Sequence, residues 1–101
     1  MWLFVFFDLP TQTKKHRKAY QQFRDVLLKD GFTMYQFSVY TRHCISYQSA
    51  EAHINKVEKQ MPAEGKISIL NVTDKQFEKI VNYFGSERIP PPDTPQQLEM
   101  F

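Results

Sequence analysis

Residues 2–10, WLFVFFDLP, contain six apolar residues that run unbroken into Asp8, and the fold can be worked out from this pattern. A short run this rich in Phe and Val, stopped by a proline, predicts a buried strand over residues 2–8. Side chains alternate across a strand, so its two faces can be read off by position. One face carries Leu3, Val5 and Phe7, and the other carries Trp2, Phe4, Phe6 and Asp8. Both faces are apolar, so we expect other parts of the structure to pack against both of them.

Length and composition are those of one domain with a packed core. The chain has 101 residues, of which 42% are hydrophobic and 15% aromatic. Its formal net charge of +2 does not by itself indicate a nucleic-acid partner. Cys44 is the single cysteine, which excludes an internal disulfide and favours the cytoplasm. The apolar run at the start is too short for a signal peptide or a membrane span, so we expect a soluble cytoplasmic protein with no membrane partner.

A helix and a bent strand segment are predicted after the first strand. Thr13 suits an N-cap and Gly31 a C′ residue, and the stripe between them consists of Ala19, Tyr20, Phe23 and Leu27. Residues 32–44, FTMYQFSVYTRHC, are dense in aromatic and β-branched residues. One straight strand of that length would span about 43 Å at 3.3 Å per residue, which is too long for a domain of this size. We therefore expect a bend near residues 36–38.

The second half of the chain alternates between helix and strand patterns. A helix is predicted over residues 47–61, with Pro62 and Gly65 ending it and an apolar stripe of Ala50, Ile54, Val57 and Met61. The run KISILNV predicts a strand over residues 66–72.

The last part of the chain predicts short elements and a tail. TDKQ at residues 73–76 has the Thr-x-x-Gln form of a capping box that opens a short helix. IVNYF at residues 80–84 suits a last strand. We place the folded domain at residues 1–89 and an extended, proline-rich tail at residues 90–101.

The order strand, helix, strand, strand, helix, strand predicts an α+β, ferredoxin-like βαββαβ fold with an antiparallel sheet. The helices of such a fold cover one face of the sheet. The other face, with Trp2, Phe4 and Phe6, would then lie open as a partner surface. A homodimer that packs sheet against sheet is the economical cover, and twofold symmetry would bring two copies of Asp8 towards one axis.

Asp8 has two interpretations. Asp is a common turn residue, so the carboxylate could simply cap the strand end before Leu9 and Pro10. In a dimer, two such carboxylates would instead need a shared cation or a shared proton. Mg²⁺ prefers one or two carboxylates with waters and assists phosphate chemistry, so the alternative to a turn residue is one Mg²⁺ shared by two Asp8 residues, with Asp8 as metal ligand and catalytic group.

Basic residues open the first helix, where they oppose the helix dipole at a cost of roughly 0.3–1 kcal/mol each. They are Lys14, Lys15, Arg17 and Lys18. This arrangement favours either binding of phosphate groups or a solvated basic face. Arg24 and Arg42 could extend the nucleic-acid-binding surface.

Two long segments resemble a known family. FFDLPTQTKKHRKAYQQFRDVLLKDGFTMYQFSVYTR at residues 6–42 and AEAHINKVEKQMPAEGKISILNVTDKQFEKI at residues 50–80 are similar to the small CRISPR-associated protein of the spacer-adaptation module. This family, the second in its numbering, partners the CRISPR integrase and is usually named an endoribonuclease. The likeness covers about residues 1–85 and is nearest to systems with a single large effector nuclease.

The resemblance implies a ferredoxin-like homodimer whose last strand is exchanged between protomers. It implies spacer acquisition in adaptive antiviral defence, with the dimer bridging integrase dimers along captured double-stranded DNA. The family's acidic metal ligand falls on Asp8, its helix arginine on Arg17, and the ends of its Ser-Val-aromatic motif on Ser38 and Tyr40. Many relatives carry tyrosine where this chain has Phe7. Hydrolysis is expected to be dispensable for integration.

Two other classes share the scaffold. An RNA-binding or RNA-cleaving module acting without the integrase could stack bases on its sheet, through Phe4, Phe6, Phe37 and Tyr40. The glycine-containing motif of the common RNA-recognition domain is absent from the sequence. A small-molecule regulatory or acylphosphatase-like domain would need a glycine-rich anion loop after the first strand, which is also absent.

The tail ends in QLEMF, residues 97–101. It is either a frayed end, a clip that docks onto the integrase, or a short motif similar to the peptides that bind bacterial sliding clamps. Docking onto the integrase is the favoured prediction, and the anchors would be Gln97, Leu98, Met100 and Phe101.

Overall fold

The structure is a computed structural model that describes residues 1–90, so the predictions for the tail anchors lie outside the described residues. In chain order the elements are β1 (Trp2–Asp8), α1 (Lys14–Lys29), β2 (Thr33–Gln36), β3 (Val39–His43), α2 (Tyr47–Glu58), β4 (Lys66–Val72), α3 (Asp74–Glu78), β5 (Asn82–Phe84) and β6 (Glu87–Ile89). No helix among residues 1–90 is long and apolar enough to cross a membrane.

Four strands form one antiparallel sheet in the order β2-β3-β1-β4. β1 is central, with Val5 opposite Tyr40 on one side and Ile69 on the other. The first six elements therefore follow the predicted ferredoxin-like βαββαβ order, and the α+β fold class is confirmed.

The helix-side core is built from the β1 face predicted from alternation. Leu3, Val5 and Phe7 are buried against α1 and α2, together with Phe23, Leu27, Ala50 and Val57. α1 begins where predicted, because the Thr13 side chain accepts a hydrogen bond from the His16 backbone N–H.

α2 ends three residues earlier than predicted, at Glu58 rather than residue 61. Met61 stands directly before Pro62, and the residue before a proline is disfavoured in helical geometry. Met61 is consequently 41% exposed and does not belong to the core stripe.

The predicted bend at residues 36–38 is a tight turn between β2 and β3. Gln36 pairs with Val39, so Phe37 and Ser38 alone make the turn. Ser38 takes a positive φ of 62°, a conformation that usually calls for Gly or Asn. The turn contains no Gly, Pro or Asn, so it could be predicted only from the length of the segment over residues 32–44.

The second face of the sheet is not open along its whole length, which corrects the prediction for Trp2 and Phe4. The capping box of Thr73 and Gln76 is present and starts α3 directly after β4. Phe77 of α3 stacks on Trp2 with ring centroids 3.9 Å apart and also packs near Phe4. Trp2 and Phe4 are therefore buried within one chain, whereas Phe6 stays 38% exposed.

The predicted last strand over residues 80–84 is shorter and lies elsewhere. Only Asn82–Phe84 forms a strand, and it pairs with Glu87–Ile89 in a separate two-stranded sheet. One tie to the main sheet comes from the Tyr35 hydroxyl, which donates to the Asn82 side-chain oxygen. Phe84 is 81% exposed on this hairpin.

Candidate functional site

Asp8 lies at the last position of β1, on the half of the sheet face that α3 leaves uncovered. Its side chain is exposed, and its register partner on β4 is Lys66. Lys66, Phe6 and Ser68 share the face of Asp8, because residues paired across an antiparallel ladder point to the same side. The carboxylate thus stands in solvent beside one lysine and a partly exposed aromatic ring.

A shallow depression surrounds this carboxylate. Its walls come from the ends of β1 and β4 and from the β2–β3 turn, and the lining residues are Phe6, Phe7, Asp8, Phe37, Ser38, Val39, Lys66 and Ser68. The depression combines apolar rings with one acid, one lysine and two hydroxyls. It is open to solvent.

The backbone of Asp8 is held by close packing against Gly65. A Cβ at residue 65 would lie 2.7 Å from the Asp8 carbonyl oxygen and 2.6 Å from Leu9 Cδ2. Gly65 also has φ +98°, where side chains are strained. The glycine was read from the sequence only as a helix-ending residue, yet it sets the position of the strand end that carries the carboxylate.

His16 forms a second support for this end of the sheet. Its Nε2 lies 2.9 Å from a carboxylate oxygen of Glu64. The contact joins the first turn of α1 to the loop before β4, one residue from Gly65. Sequence reasoning missed the pair because the two residues are far apart in the chain and have no motif spacing.

A single chain does not form a metal centre within residues 1–90. In that region no group of three or more His, Cys, Asp or Glu side chains is placed to hold a metal ion. In one chain, Asp8 contributes a single carboxylate to this depression, and that carboxylate is in contact with solvent. This donor fits the coordination habit of Mg²⁺, which takes one or two carboxylates and keeps several waters, when a second copy of Asp8 is supplied.

Three of the four predicted basic residues at the start of α1 are free of the hydrogen bonds and ion pairs that the structure shows in residues 1–90. Lys14, Lys15 and Lys18 are exposed, and the first turn of α1 contains no acidic residue. Arg17 is exposed too, but its Nη1 donates to the carbonyl oxygens of Thr11 and Gln12, at 3.1 and 3.3 Å. Arg17 therefore braces the loop that leads away from Asp8.

Arg24 does not stand with these lysines as a free cation. Its Nε donates to the Tyr40 hydroxyl at 2.7 Å, which ties α1 to the sheet. The hydrogen bond to Tyr40 also raises the pKa of Arg24. Tyr40 itself is 2% exposed and packs in the helix-side core.

Arg42 lies at the other end of the sheet from Asp8, because β3 pairs it with Leu3. Its Nε donates to His53 Nε2 at 3.0 Å, and His53 Nδ1 lies 2.7 Å from an Asp30 carboxylate oxygen. Since arginine can only donate, Nε2 accepts and the Nδ1–H donates to Asp30. The guanidinium also covers Gly31, where a Cβ would meet Nη1 at 2.0 Å. The structure thus engages Arg42 in a network that joins α1, β3 and α2.

A family model and several known relatives match most of the chain. The family model described as CRISPR associated protein Cas2 matches residues 1–80. This chain belongs to the Cas2 family. It is therefore a component of a CRISPR system.

Three relatives carry the name CRISPR-associated endoribonuclease Cas2. The one from Parvibaculum lavamentivorans is 50% identical over 101 residues, which is 100% of both chains. The one from Flavobacterium psychrophilum is 45% identical, covering 100% of this chain and 88% of the relative. The one from Streptococcus mutans (strain UA159) is 41% identical over 88 residues, covering 87% of this chain and 80% of the relative.

Proposed function

We propose that this chain acts in CRISPR spacer acquisition as a homodimer that bridges integrase dimers and binds captured duplex DNA in the cytoplasm. We also propose a Mg²⁺-dependent phosphodiesterase site where two Asp8 residues meet. The observation that carries the proposal is the exposed carboxylate at the end of β1, on the uncovered half of the sheet face. Membership of the Cas2 family supports it.

The exposed half of the sheet supports pairing of two chains. Phe6 and Leu70 are 38% and 49% exposed on this face, next to the half that α3 covers. A second copy would remove these apolar side chains from water. Twofold symmetry would then place the Asp8 carboxylates near one axis, where mutual repulsion favours a bound cation.

The chain's own residues supply binding and orientation. Lys14, Lys15 and Lys18 would attract phosphate groups without regard to base sequence, and this attraction weakens as salt rises. Asp8 would hold Mg²⁺, which when bound supplies an activated water and stabilises negative charge on the phosphate. Gly65 and the His16–Glu64 pair hold the strand end that presents the carboxylate.

The test uses two matched substitutions, Asp8→Asn and Asp25→Asn. Both remove one exposed carboxylate, but Asp25 lies on α1 away from the depression. Cleavage of labelled RNA and duplex DNA is measured with Mg²⁺ and with a chelator. Asp8→Asn should abolish the Mg²⁺-dependent cleavage, and Asp25→Asn should cut like the wild type. Equal cleavage by Asp8→Asn would reject the assignment of the site.

Light scattering tests the architectural part of the proposal. The wild-type chain should have the mass of a dimer and form a larger, salt-sensitive complex with integrase and a short duplex. Asp8→Asn should assemble equally well, because bridging does not use the carboxylate. A monomer, or a chain indifferent to integrase, would reject the bridging role.

A second candidate is an RNA-cleaving module that acts without the integrase. The names of the relatives favour it, since each is called an endoribonuclease. Cleavage of RNA but not duplex DNA, together with no assembly with integrase, would favour this second function over the bridging role.

A further inference from the structure

The β2–β3 turn presents an aromatic ring that the core does not use. Phe37 is 81% exposed, although phenylalanine is usually among the more buried residues. The next residue, Ser38, holds φ at 62°, which is strained for a side chain other than Gly or Asn. Strain of this kind persists only where the surroundings enforce it, and it is concentrated at functional sites.

Three contacts fix this turn. The Phe7 backbone N–H donates to the Ser38 carbonyl oxygen at 3.0 Å, and the Tyr20 hydroxyl lies 2.9 Å from Ser38 Oγ. The Phe37 ring lies nearly parallel to that of Tyr20, at 22° with centroids 6.2 Å apart. The exposed ring is therefore held in place by β1 and α1 and does not sit on a loose loop.

The turn that carries the ring borders the depression around the candidate carboxylate. Phe37 and Asp8 line the same depression, with Lys66 and Ser68 completing its polar side. The other aromatic residues predicted to stack bases are less available, because Tyr40 is 2% and Phe4 6% exposed. Phe37 is thus the most exposed member of that set.

We propose that Phe37 is a stacking platform for an unpaired base of the nucleic acid whose phosphate lies at Asp8. This inference rests on the proposed function and sharpens its substrate class, since a base inside a duplex cannot reach the ring. The site would then take single-stranded RNA or DNA, or the unpaired end of a duplex. A base offers a face to the ring and polar edges to Lys66 and Ser68.

The polar side of the depression suits a nucleotide at this ring. Lys66 and Ser68 both line the depression around Phe37 and can contact the edge of a base or a phosphate. Lysines at the start of α1 supply positive charge for the backbone of the same strand. A base on Phe37 and phosphates on these lysines would fix the register of the strand at Asp8.

The test compares Phe37→Leu with Phe84→Leu in the full chain. The two phenylalanines are equally exposed, at 81%, but Phe84 lies on the β5–β6 hairpin. Dissociation constants are measured by fluorescence anisotropy for single-stranded RNA, single-stranded DNA and a blunt duplex. Stacking is worth a factor of about ten in affinity, so Phe37→Leu should weaken both single strands about tenfold and leave the duplex unchanged. Phe84→Leu should change none of the three.

Phe37→Trp provides a direct readout, because it keeps an aromatic face. Its binding should match the wild type, and its emission should be quenched when a single strand binds. An equal loss with Phe84→Leu, an equal loss for the duplex, or no quenching would overturn the proposal. A fall in mass of Phe37→Leu by light scattering would assign the ring to contact between copies and would also overturn it.

The outcomes separate this inference from the proposed function. If Asp8→Asn loses cleavage but Phe37→Leu binds single strands like the wild type, only the stacking role fails. If Asp8→Asn cuts like the wild type while Phe37→Leu shows the selective loss, the binding surface stands and the phosphodiesterase site fails. If the wild-type chain binds none of the three probes, both fail. A loss confined to RNA or to DNA identifies which single strand the site takes.

Discussion

β1 contributes to both halves of one face of the sheet, and the chain covers one half but leaves the other exposed. At the start of β1, Trp2 and Phe4 are sealed by Phe77 of α3. At the end of β1, Phe6 and Asp8 remain exposed. The difference follows from connectivity, since β4 runs antiparallel to β1 and ends with Val72 opposite Trp2. The capping box starts α3 at that point. α3 therefore covers the half that contains Trp2 and Phe4, and the half that contains Phe6 and Asp8 is left available for a partner.

The covered half should be the more costly to disturb. Phe77→Ala removes a ring that is 3% exposed and stacks on Trp2, and a change of this kind costs about 3–5 kcal/mol. Urea unfolding would measure the loss. Phe6→Ala is the matched change on the open half, where the ring is 38% exposed within one chain, and in the monomer it should cost less, about 1–2 kcal/mol. Equal losses would contradict the division of this face into a core half and a partner half.

The strand end that carries Asp8 should be sensitive to one added methyl group. Gly65→Ala places a Cβ 2.7 Å from the Asp8 carbonyl oxygen at φ +98°, so we expect a loss of about 1–3 kcal/mol and a displaced carboxylate. Chemical denaturation gives the stability, and Mg²⁺-dependent cleavage reports the displacement.

Gly85→Ala is the control for that substitution. Its φ is +62°, but a Cβ there would meet nothing within 4 Å. The control should therefore show the backbone cost without the collision. If both variants lost the same stability, close packing against Asp8 would not be what requires Gly65.

The smallest expected effect concerns the join between the hairpin and the sheet. Burial raises the pKa of Tyr35, and its neutral hydroxyl donates to Asn82. The unfolded phenol ionises near pH 10, so the folded state binds more protons above that pH and its stability falls as pH rises from about 10 towards the folded pKa.

Tyr35→Phe removes this dependence together with the hydrogen bond. Around pH 8 the wild type should be more stable by about 0.5–1.5 kcal/mol, and the advantage should shrink above pH 10. Unfolding at pH 8 and pH 11 would measure it, because the other titrating groups are common to both proteins. A constant difference between the two pH values would mean that the hydroxyl is not buried in the folded state.

Local signals predicted most of the elements. Thr13 caps α1, and Thr73 with Gln76 forms the capping box of α3, because a cap depends on residues within one turn. The alternation of residues 2–8 predicted which β1 side chains meet the helices. The predicted end of α2 was three residues too late. The apolar spacing placed Met61 on the helix, although a residue before a proline is disfavoured in helical geometry.

The candidate site was only partly predictable. Asp8 was singled out because it closes an otherwise apolar strand, although a turn residue explains an aspartate at that position equally well. Arg24 and Arg42 were grouped with the lysines by charge, but each of them also donates a hydrogen bond within the fold, to Tyr40 and to His53. Those partners lie 16 and 11 residues away along the chain and carry no spacing that a sequence pattern would reveal.

Periodicity, caps and long matching segments predicted the elements from β1 to α3, the helix-side core and the family. Which half of the second face stays open, where α3 packs and how Gly65 and Phe37 frame Asp8 became visible only in the folded chain. These features arise from contacts between residues far apart in the chain. Such contacts depend on how the strands pair and on which edge each connection leaves, and no local window of sequence contains that information.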